Sequence, residues 1–158
     1  MRTIAAMLAW ALALTGLAGA SWAGDLPGAD AAALWKYISQ ASPYQQWGQW
    51  PDYRGMHPGR SPHGDFVQIW VNPPALEASG PPLAAGSLIV KEGYGQDKTL
   101  TSITVMYKVP GYNPQGGDWF WAKYSPQGQP GPAGRPQGCV NCHASAAAND
   151  HVMARPLK

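Results

Sequence analysis

The sequence predicts an α+β domain, mainly an antiparallel β-sheet with flanking helices. Its 158 residues include 19 Gly and 16 Pro, which are unfavourable inside helices and exclude a coiled coil or an all-helical bundle. Hydrophobic residues make up 45% of the chain and aromatic residues 11%, which favours a packed core over disorder. The strand-like segments are separated by turn residues and not by long helical patterns, which favours antiparallel pairing. A net charge of +2 is too small to indicate a nucleic-acid-binding surface.

Residues 1–23 have the three-part layout of a secretory signal peptide. Arg2 supplies a positive start, residues 4–17 are almost wholly apolar, and small residues follow up to Ala23. The apolar run is shorter than the roughly 20 residues that a membrane-spanning helix needs. We therefore predict cleavage after Ala23, a single mature domain over residues 24–158, and a periplasmic protein that has no membrane association once the signal is removed.

Helix-capping residues and Pro- and Gly-rich turns mark the boundaries of the predicted elements in the mature chain. Asp30 is placed to cap a helix that runs to about residue 40, and a loop rich in Pro, Gly and aromatic residues covers 42–64. Four strands are then predicted, at 65–72, 86–92, 100–109 and 118–124. The third has the clearest alternation of side chains, which is typical of a sheet with two different faces. Another Pro- and Gly-rich loop leads to the two cysteines.

Both cysteines lie in the C-terminal segment Cys139-Val140-Asn141-Cys142-His143. Cys-x-x-Cys-His is the signature of covalent haem c attachment, in which the thiols bond to the haem and the His binds its iron. A redox-active cysteine pair is less favoured because no βαβ pattern surrounds it, and a structural zinc site needs four ligands. A disulfide between Cys139 and Cys142 would leave His143 unexplained. We therefore predict one covalent haem c per chain, with His143 as the proximal iron ligand.

The second axial position of the iron has seven candidates: His57, His63, His151, Lys91, Met56, Met106 and Met153. Met153 follows His143 by only ten residues, a short excursion for a ligand to the opposite haem face. His63 lies in a turn before a predicted strand and is interpreted as a turn residue, a propionate partner or a distal group. We therefore expect an open or apolar-capped distal face, which indicates ligand binding or catalysis and not electron transfer alone.

Several segments together resemble the cytochrome P-460 family, which includes the cytochrome c′-beta proteins. They are the turn 62–64 (PHG), the strand segments 86–92 (GSLIVKE) and 105–108 (VMYK), the segments 111–114 (GYNP) and 117–121 (GDWFW), and the cysteine motif at 139–143. The resemblance spans about residues 34–152. It implies a mostly antiparallel sheet with flanking helices, a periplasmic haem c, five-coordinate iron with an open distal side, and commonly a homodimer.

The resemblance also implies roles for individual residues. In hydroxylamine-oxidising members a Lys in a Val-Lys-Glu strand is bonded covalently to the haem edge, and Lys91 is at that position, with an ordinary strand lysine as the alternative. Those members can carry a distal Glu that accepts protons; here Asp118 is the only acid in the matching region, with a turn role as the alternative. This departure weakens the case for hydroxylamine oxidation. For Phe66 and Trp70 the resemblance offers a role as the cap of the distal face, while packing in the core is the favoured role.

These observations predict a periplasmic haem c protein that binds or converts small nitrogen oxides, hydroxylamine or nitric oxide, at an open distal iron site. One alternative is a nitric oxide binding or buffering protein of cytochrome c′-beta type without turnover. Another is a simple electron-transfer cytochrome c. Whether the chain is an oxidoreductase stays open. We also expect a periplasmic redox partner and a homodimer.

Overall fold

The computed structural model describes residues 26–157, and the predicted signal peptide lies outside these residues. The described chain forms a six-stranded sheet whose strands lie in sequence order, with every neighbouring pair antiparallel. The strands are β1 (Met56–Pro58), β2 (Phe66–Val71), β3 (Leu88–Tyr94), β4 (Leu100–Lys108), β5 (Trp119–Tyr124) and β6 (Pro130–Gly134). This sheet confirms the predicted α+β class, because it is mainly antiparallel and is accompanied by short helices.

The four predicted strands correspond to β2, β3, β4 and β5, whereas the two edge strands were not predicted. β1 lies inside the loop expected over 42–64, and β6 consists only of Pro, Gly and Ala. Proline cannot donate a backbone hydrogen bond, so its presence argues against a strand in the sequence. An edge strand pairs on one side only, which is why the sheet tolerates Pro at both edges.

The helices are short and lie outside the sheet. Helix α1 (Ala31–Lys36) begins where Asp30 accepts a hydrogen bond from the backbone N–H of Ala33 at 2.8 Å, and it continues as a π-helical turn over Tyr37–Ala41. Helix α2 is Pro73–Leu76 and helix α3 is Gln137–His143; 3-10 turns occupy Tyr44–Gln46, Pro114–Gly116 and Ala144–Asn149. Within residues 26–157 no helix combines the length and apolarity required to cross a bilayer.

The sheet buries side chains on both faces. The face that packs against α1, which we call the helix face, carries buried residues that include Leu88, Val90, Ile103, Val105, Phe120 and Tyr124. The opposite face, which we call the cavity face, carries Ile69, Ile89, Met106, Trp119 and Trp121. Successive residues of a strand point to opposite faces, so each strand contributes to both clusters.

The strand register arranges the cavity face into rows. Lys91 pairs with Thr104, and Thr104 pairs with Lys123; we call these three residues the lysine row. The adjacent row, which we call the tryptophan row, consists of Ile89, Met106 and Trp121. The C-terminal segment packs over this face, with Val140 and Val152 against the apolar cluster. The sheet and this segment together enclose the site described next.

Candidate functional site

A cavity of about 340 Å³ lies between the cavity face of the sheet and the C-terminal segment. Its floor is formed by side chains of both rows, its rim by the loop before β2, and its other wall by α3 and the residues before it. Most of the lining is apolar. The sheet contributes Ile89, Met106 and Trp121, and four prolines or glycines add to them: Pro62 of the loop before β2, Pro132 of β6, and Pro136 and Gly138 at the start of α3. Such a lining suits a large, flat, apolar group.

Both cysteines line this cavity from helix α3. The helix begins after Pro136, whose carbonyl accepts hydrogen bonds from the N–H groups of Cys139 and Val140 at 3.0 and 3.1 Å. Residues three apart in a helix lie on one side, so Cys139 and Cys142 present their thiols to the same space. Both are free thiols in the structure, and burial raises the pKa of the Cys139 thiol. Both cysteines thus have free thiols and line the cavity.

His143 ends α3 and places a buried imidazole in the cavity wall. Its Nδ1 lies 2.8 Å from the carbonyl oxygen of His151, and a carbonyl can only accept, so Nδ1 carries the proton. The lone pair is then on Nε2. The ring packs against Trp121 with 4.6 Å between ring centres, and burial lowers the pKa of His143. The imidazole is thus neutral, oriented and able to bind a metal through Nε2.

A buried ion pair holds the segment that orients His143. The Asp150 carboxylate lies 2.5 and 2.6 Å from Nζ of Lys108 and accepts a hydrogen bond from the N–H of Leu83 at 2.7 Å. The indole of Trp119 donates to the Asp150 carbonyl at 2.9 Å. Asp150 and His151 both have left-handed backbone angles, with φ of 52° and 64°. These contacts stabilise the turn that places the His151 carbonyl beside His143. No local sequence pattern indicated this role for Lys108 or Asp150.

His63 enters the cavity from the loop before β2. Its Nδ1 lies 3.3 Å from the hydroxyl of Thr104 in the lysine row, and its ring centre is 6.3 Å from that of His143, with the ring planes at 83°. Burial, together with the nearby positive charge of Lys91, lowers the pKa of His63 to about 3. His63 is therefore a neutral imidazole beside His143 in the cavity lining.

Lys91, the residue implied by the resemblance as a haem cross-link, also lines the cavity. It lies on the cavity face of β3, opposite Thr104 of β4. Burial lowers the pKa of Lys91, and the neighbouring charge of Arg60 lowers it further. Lower basicity increases the uncharged fraction of the amine, which is the nucleophilic form.

Phe66, Trp70 and Asp118 are not among the residues that line the cavity in the described part of the chain. Phe66 and Trp70 alternate with the cavity-facing residues of β2, and the Trp70 indole donates to buried Glu92 at 2.9 Å on the helix face. Asp118 instead closes the turn before β5, where its carboxylate accepts hydrogen bonds from the N–H groups of Gly111 and Asn113, both at 3.0 Å. Strand parity decides the first two positions, and local turn hydrogen bonding decides the third.

Of the seven candidates for the second axial position, His63, Lys91 and Met106 line the cavity. The other four lie elsewhere: His57 stacks on Tyr53 with 3.9 Å between ring centres, Met56 is exposed, and His151 contributes its backbone carbonyl. Met153 is not among the lining residues of the described chain. The cavity lining of the described chain thus includes His63 and does not include Phe66 or Trp70, the two aromatic residues considered as a cap.

The Cys-x-x-Cys-His helix lies over one face of an antiparallel sheet, and both cysteines and His143 line one apolar cavity there. The imidazole of His143 has Nε2 available for a metal. This arrangement fits the attachment of haem c to a β-rich domain. This class is distinct from the helical small cytochromes. Residues 41–154 match the family model Cytochrome P460, and the chain belongs to this family. Comparison with curated proteins found no match.

Family membership implies a haem c, and the residues at the cavity fit this group. Thiols add to vinyl groups, and Cys139 and Cys142 are free thiols on one side of a helix. His143 has an available Nε2, and the sheet provides apolar contacts for a macrocycle. Lys91 and Lys123 are the basic lining residues, and the lining drawn from residues 26–157 includes no carboxylate, which suits the negatively charged propionates.

Proposed function

We propose that the protein is a periplasmic haem c protein that binds or converts small nitrogen oxides at its iron. In this proposal Cys139 and Cys142 form the two thioethers and His143 is the proximal ligand. One observation carries the proposal: both thiols and the free Nε2 of His143 converge on a single apolar cavity. When bound, the haem supplies an iron that coordinates and exchanges electrons with a small ligand.

The chain's own residues determine the surroundings of that iron. The carbonyl of His151 keeps the proton of His143 on Nδ1, which directs Nε2 into the cavity and increases its basicity as a ligand. Trp121, Ile89 and Met106 line the cavity from the tryptophan row of the sheet. The apolar side chains of Ile89 and Met106 offer a ligand no hydrogen bond, which favours a neutral diatomic over a strongly hydrated ligand and supports nitric oxide.

Lys91 supports a second candidate function, the oxidation of hydroxylamine, because its side chain lies in the same cavity as the cysteines. A bond between its amine nitrogen and a haem edge carbon removes one hydrogen from each atom and two electrons, so it requires a two-electron oxidant such as a peroxide. Peroxide treatment of the haem-loaded protein therefore tests whether the Lys91–haem bond, on which this second function depends, can form. Mass spectrometry detects whether the Lys91 peptide is joined to the haem peptide.

The test of the proposed function begins with export of the full chain in cells that attach haem c. We expect haem to stay with the polypeptide in denaturing electrophoresis, and to be lost when Cys139 and Cys142 are both replaced by Ala. Titration of the reduced protein with nitric oxide then measures ligand binding. Haem that dissociates on denaturation refutes the attachment, and a reduced spectrum unchanged at saturating nitric oxide leaves electron transfer as the function.

Export, a redox partner and a homodimer belong to the same proposal. Detection of a chain beginning after Ala23 in the periplasmic fraction supports export, and an intact leader in the cytoplasm contradicts it. Light scattering of the haem-loaded protein measures its oligomeric state, for which we expect a dimer.

A further inference from the structure

The turn that follows the attachment helix has two left-handed residues in succession. Asp150 and His151 have φ of 52° and 64°, and neither is a glycine. This conformation is unfavourable for L residues and persists only where the surrounding contacts hold it. The carbonyl oxygen of His151, the second of these residues, is the atom that lies 2.8 Å from Nδ1 of His143. The contacts that hold this turn therefore decide where the hydrogen-bond acceptor of His143 lies.

One cross-strand pair of the sheet holds Asp150 at two points. Lys108 of β4 and Trp119 of β5 are partners in the strand register. Nζ of Lys108 lies 2.5 and 2.6 Å from the two carboxylate oxygens of Asp150, and the Trp119 indole donates to the Asp150 carbonyl at 2.9 Å. The same Nζ lies 4.8 Å from the centre of the Trp119 ring, and all three residues are buried. The sheet thus holds both the side chain and the main chain of Asp150.

Two loops hold the same turn from other directions. The N–H of Leu83, in the loop before β3, donates to the Asp150 carboxylate at 2.7 Å. Gly117, just before β5, lies so close that an added Cβ would meet Oδ1 of Asp150 and Cδ2 of His151, each at 3.0 Å. That is closer than an ordinary van der Waals contact. The His151 carbonyl is therefore fixed relative to the sheet and not only relative to α3.

A fixed acceptor at Nδ1 controls how strongly an imidazole binds a metal. A hydrogen bond donated by Nδ1 orients the ring and raises the basicity of Nε2. For an imidazole on haem iron, hydrogen bonding of this kind is one of the means by which a protein sets the reduction potential. The ring of His143 is buried and packs against Trp121, which restricts its rotation. A displacement of the His151 carbonyl would therefore weaken this hydrogen bond.

We propose that Asp150 is a positioning residue for the proximal ligand. Held by Lys108 and Trp119, it sets the hydrogen bond between His143 and the His151 carbonyl, and through that bond the strength of the iron–His143 bond. The proposal rests on the haem attachment in the proposed function. It assigns these contacts an effect on the iron in addition to their contribution to folding stability, so the two effects must be measured separately.

The experiment measures the iron–histidine stretching frequency of the reduced, full-length, haem-loaded protein by resonance Raman spectroscopy. We expect a lower frequency in Asp150→Asn, which removes the ion pair, and in Trp119→Phe, which removes the indole donor without a change of charge. The reduction potential of Trp119→Phe should rise, because a less basic Nε2 stabilises oxidised iron less. Leu34→Ala is the matched control. It removes a fully buried side chain on the helix face, so it should destabilise the fold and leave the frequency unchanged.

The double variant Lys108→Met with Asp150→Asn separates positioning from stability. It leaves no unpaired charge, so it should be more stable than Asp150→Asn alone and still show the lowered frequency. A double variant that recovers the parent frequency together with stability overturns the proposal, and so does a lowered frequency in Leu34→Ala.

The parent frequency in Asp150→Asn or in Trp119→Phe also overturns the proposal, so a folding failure of one variant does not leave it undecided. Absence of covalent haem from the folded parent protein would instead refute the proposed function. A parent protein that fails to bind nitric oxide, with the frequencies shifted as expected, would refute only the nitrogen-oxide role and support the positioning role of Asp150.

Discussion

Replacement of Asp150 by Asn tests how the turn that orients His143 is stabilised. The Lys108 and Asp150 side chains are only 10% and 5% exposed, and their charged atoms are 2.5 Å apart. Asn has nearly the same shape, tolerates the left-handed φ of 52° at this position, and retains an oxygen to accept the N–H of Leu83. The substitution therefore removes the charge and little else, and leaves the Lys108 ammonium buried without its counter-ion.

The loss of one partner of a buried ion pair costs about 3–5 kcal/mol, and the retained hydrogen bond to Leu83 places our expectation near the lower end, about 3 kcal/mol. Urea unfolding of the haem-loaded protein, followed by circular dichroism, measures the change in the free energy of unfolding. The matched control is Asp52→Asn in the Arg155–Asp52 pair at 3.3 Å, whose Asp52 side chain is 54% exposed, and the loss there should be below about 1 kcal/mol.

The double variant Lys108→Met with Asp150→Asn removes the stranded charge. It should be more stable than Asp150→Asn alone, because two buried charges have been replaced together and neither is left unpaired. Equal losses for Asp150→Asn and Asp52→Asn would refute the reasoning. A double variant that is less stable than Asp150→Asn would refute it as well, since it would show that Lys108 contributes through something other than this ion pair.

Three further predictions follow from the same contacts. Glu92→Gln should lower the free energy of unfolding by about 1–3 kcal/mol in urea titrations, because the buried carboxylate accepts hydrogen bonds from Tyr44, Trp70 and Tyr94 and an amide offers one oxygen. Gly93→Ala should lower the free energy of unfolding by about 1–3 kcal/mol in urea titrations, because the added Cβ would overlap the backbone carbonyl of His63. Gly131→Ala, whose Cβ meets the nearest atom at an ordinary 3.4 Å, should cost less, and equal losses would contradict the loop contact. Asp118→Asn should lower the free energy of unfolding by about 1 kcal/mol, because the carboxylate accepts two backbone hydrogen bonds in its turn and an amide offers one oxygen. The apparent Kd for nitric oxide should stay within about twofold, and a tenfold loss of affinity would show that Asp118 belongs to the site.

The central strands were predictable because their signals are local. In β4 the alternation of side chains directly reflects the two buried faces, and the helix cap at Asp30 depends on a residue three positions away. The edge strands β1 and β6 could not be predicted. β1 is only three residues long and ends in Pro, β6 consists of Pro, Gly and Ala, which are depleted in strands, and the pairing of both is imposed by neighbouring strands.

The attachment motif was likewise predictable from the sequence, because Cys139, Cys142 and His143 lie within five residues and this spacing is the signature of haem c attachment. The role of Trp70 was left between core and cavity for the opposite reason. The position of a residue in a strand shows which residues share its face of the sheet, but not which face lines the cavity. The structure places Trp70 on the helix face, where its indole donates to buried Glu92.

The sequence alone determined the class of fold, the attachment segment and the presence of Lys91 in a strand, because each depends on residues within a few positions of one another. Tertiary structure decided which side chains surround the site. His63 and His143 are 80 residues apart in the chain and their rings are 6.3 Å apart, and the Asp150 turn is held by Lys108 from β4. No local pattern encodes such distances, since they arise from strand register and from the packing of the C-terminal segment on the sheet.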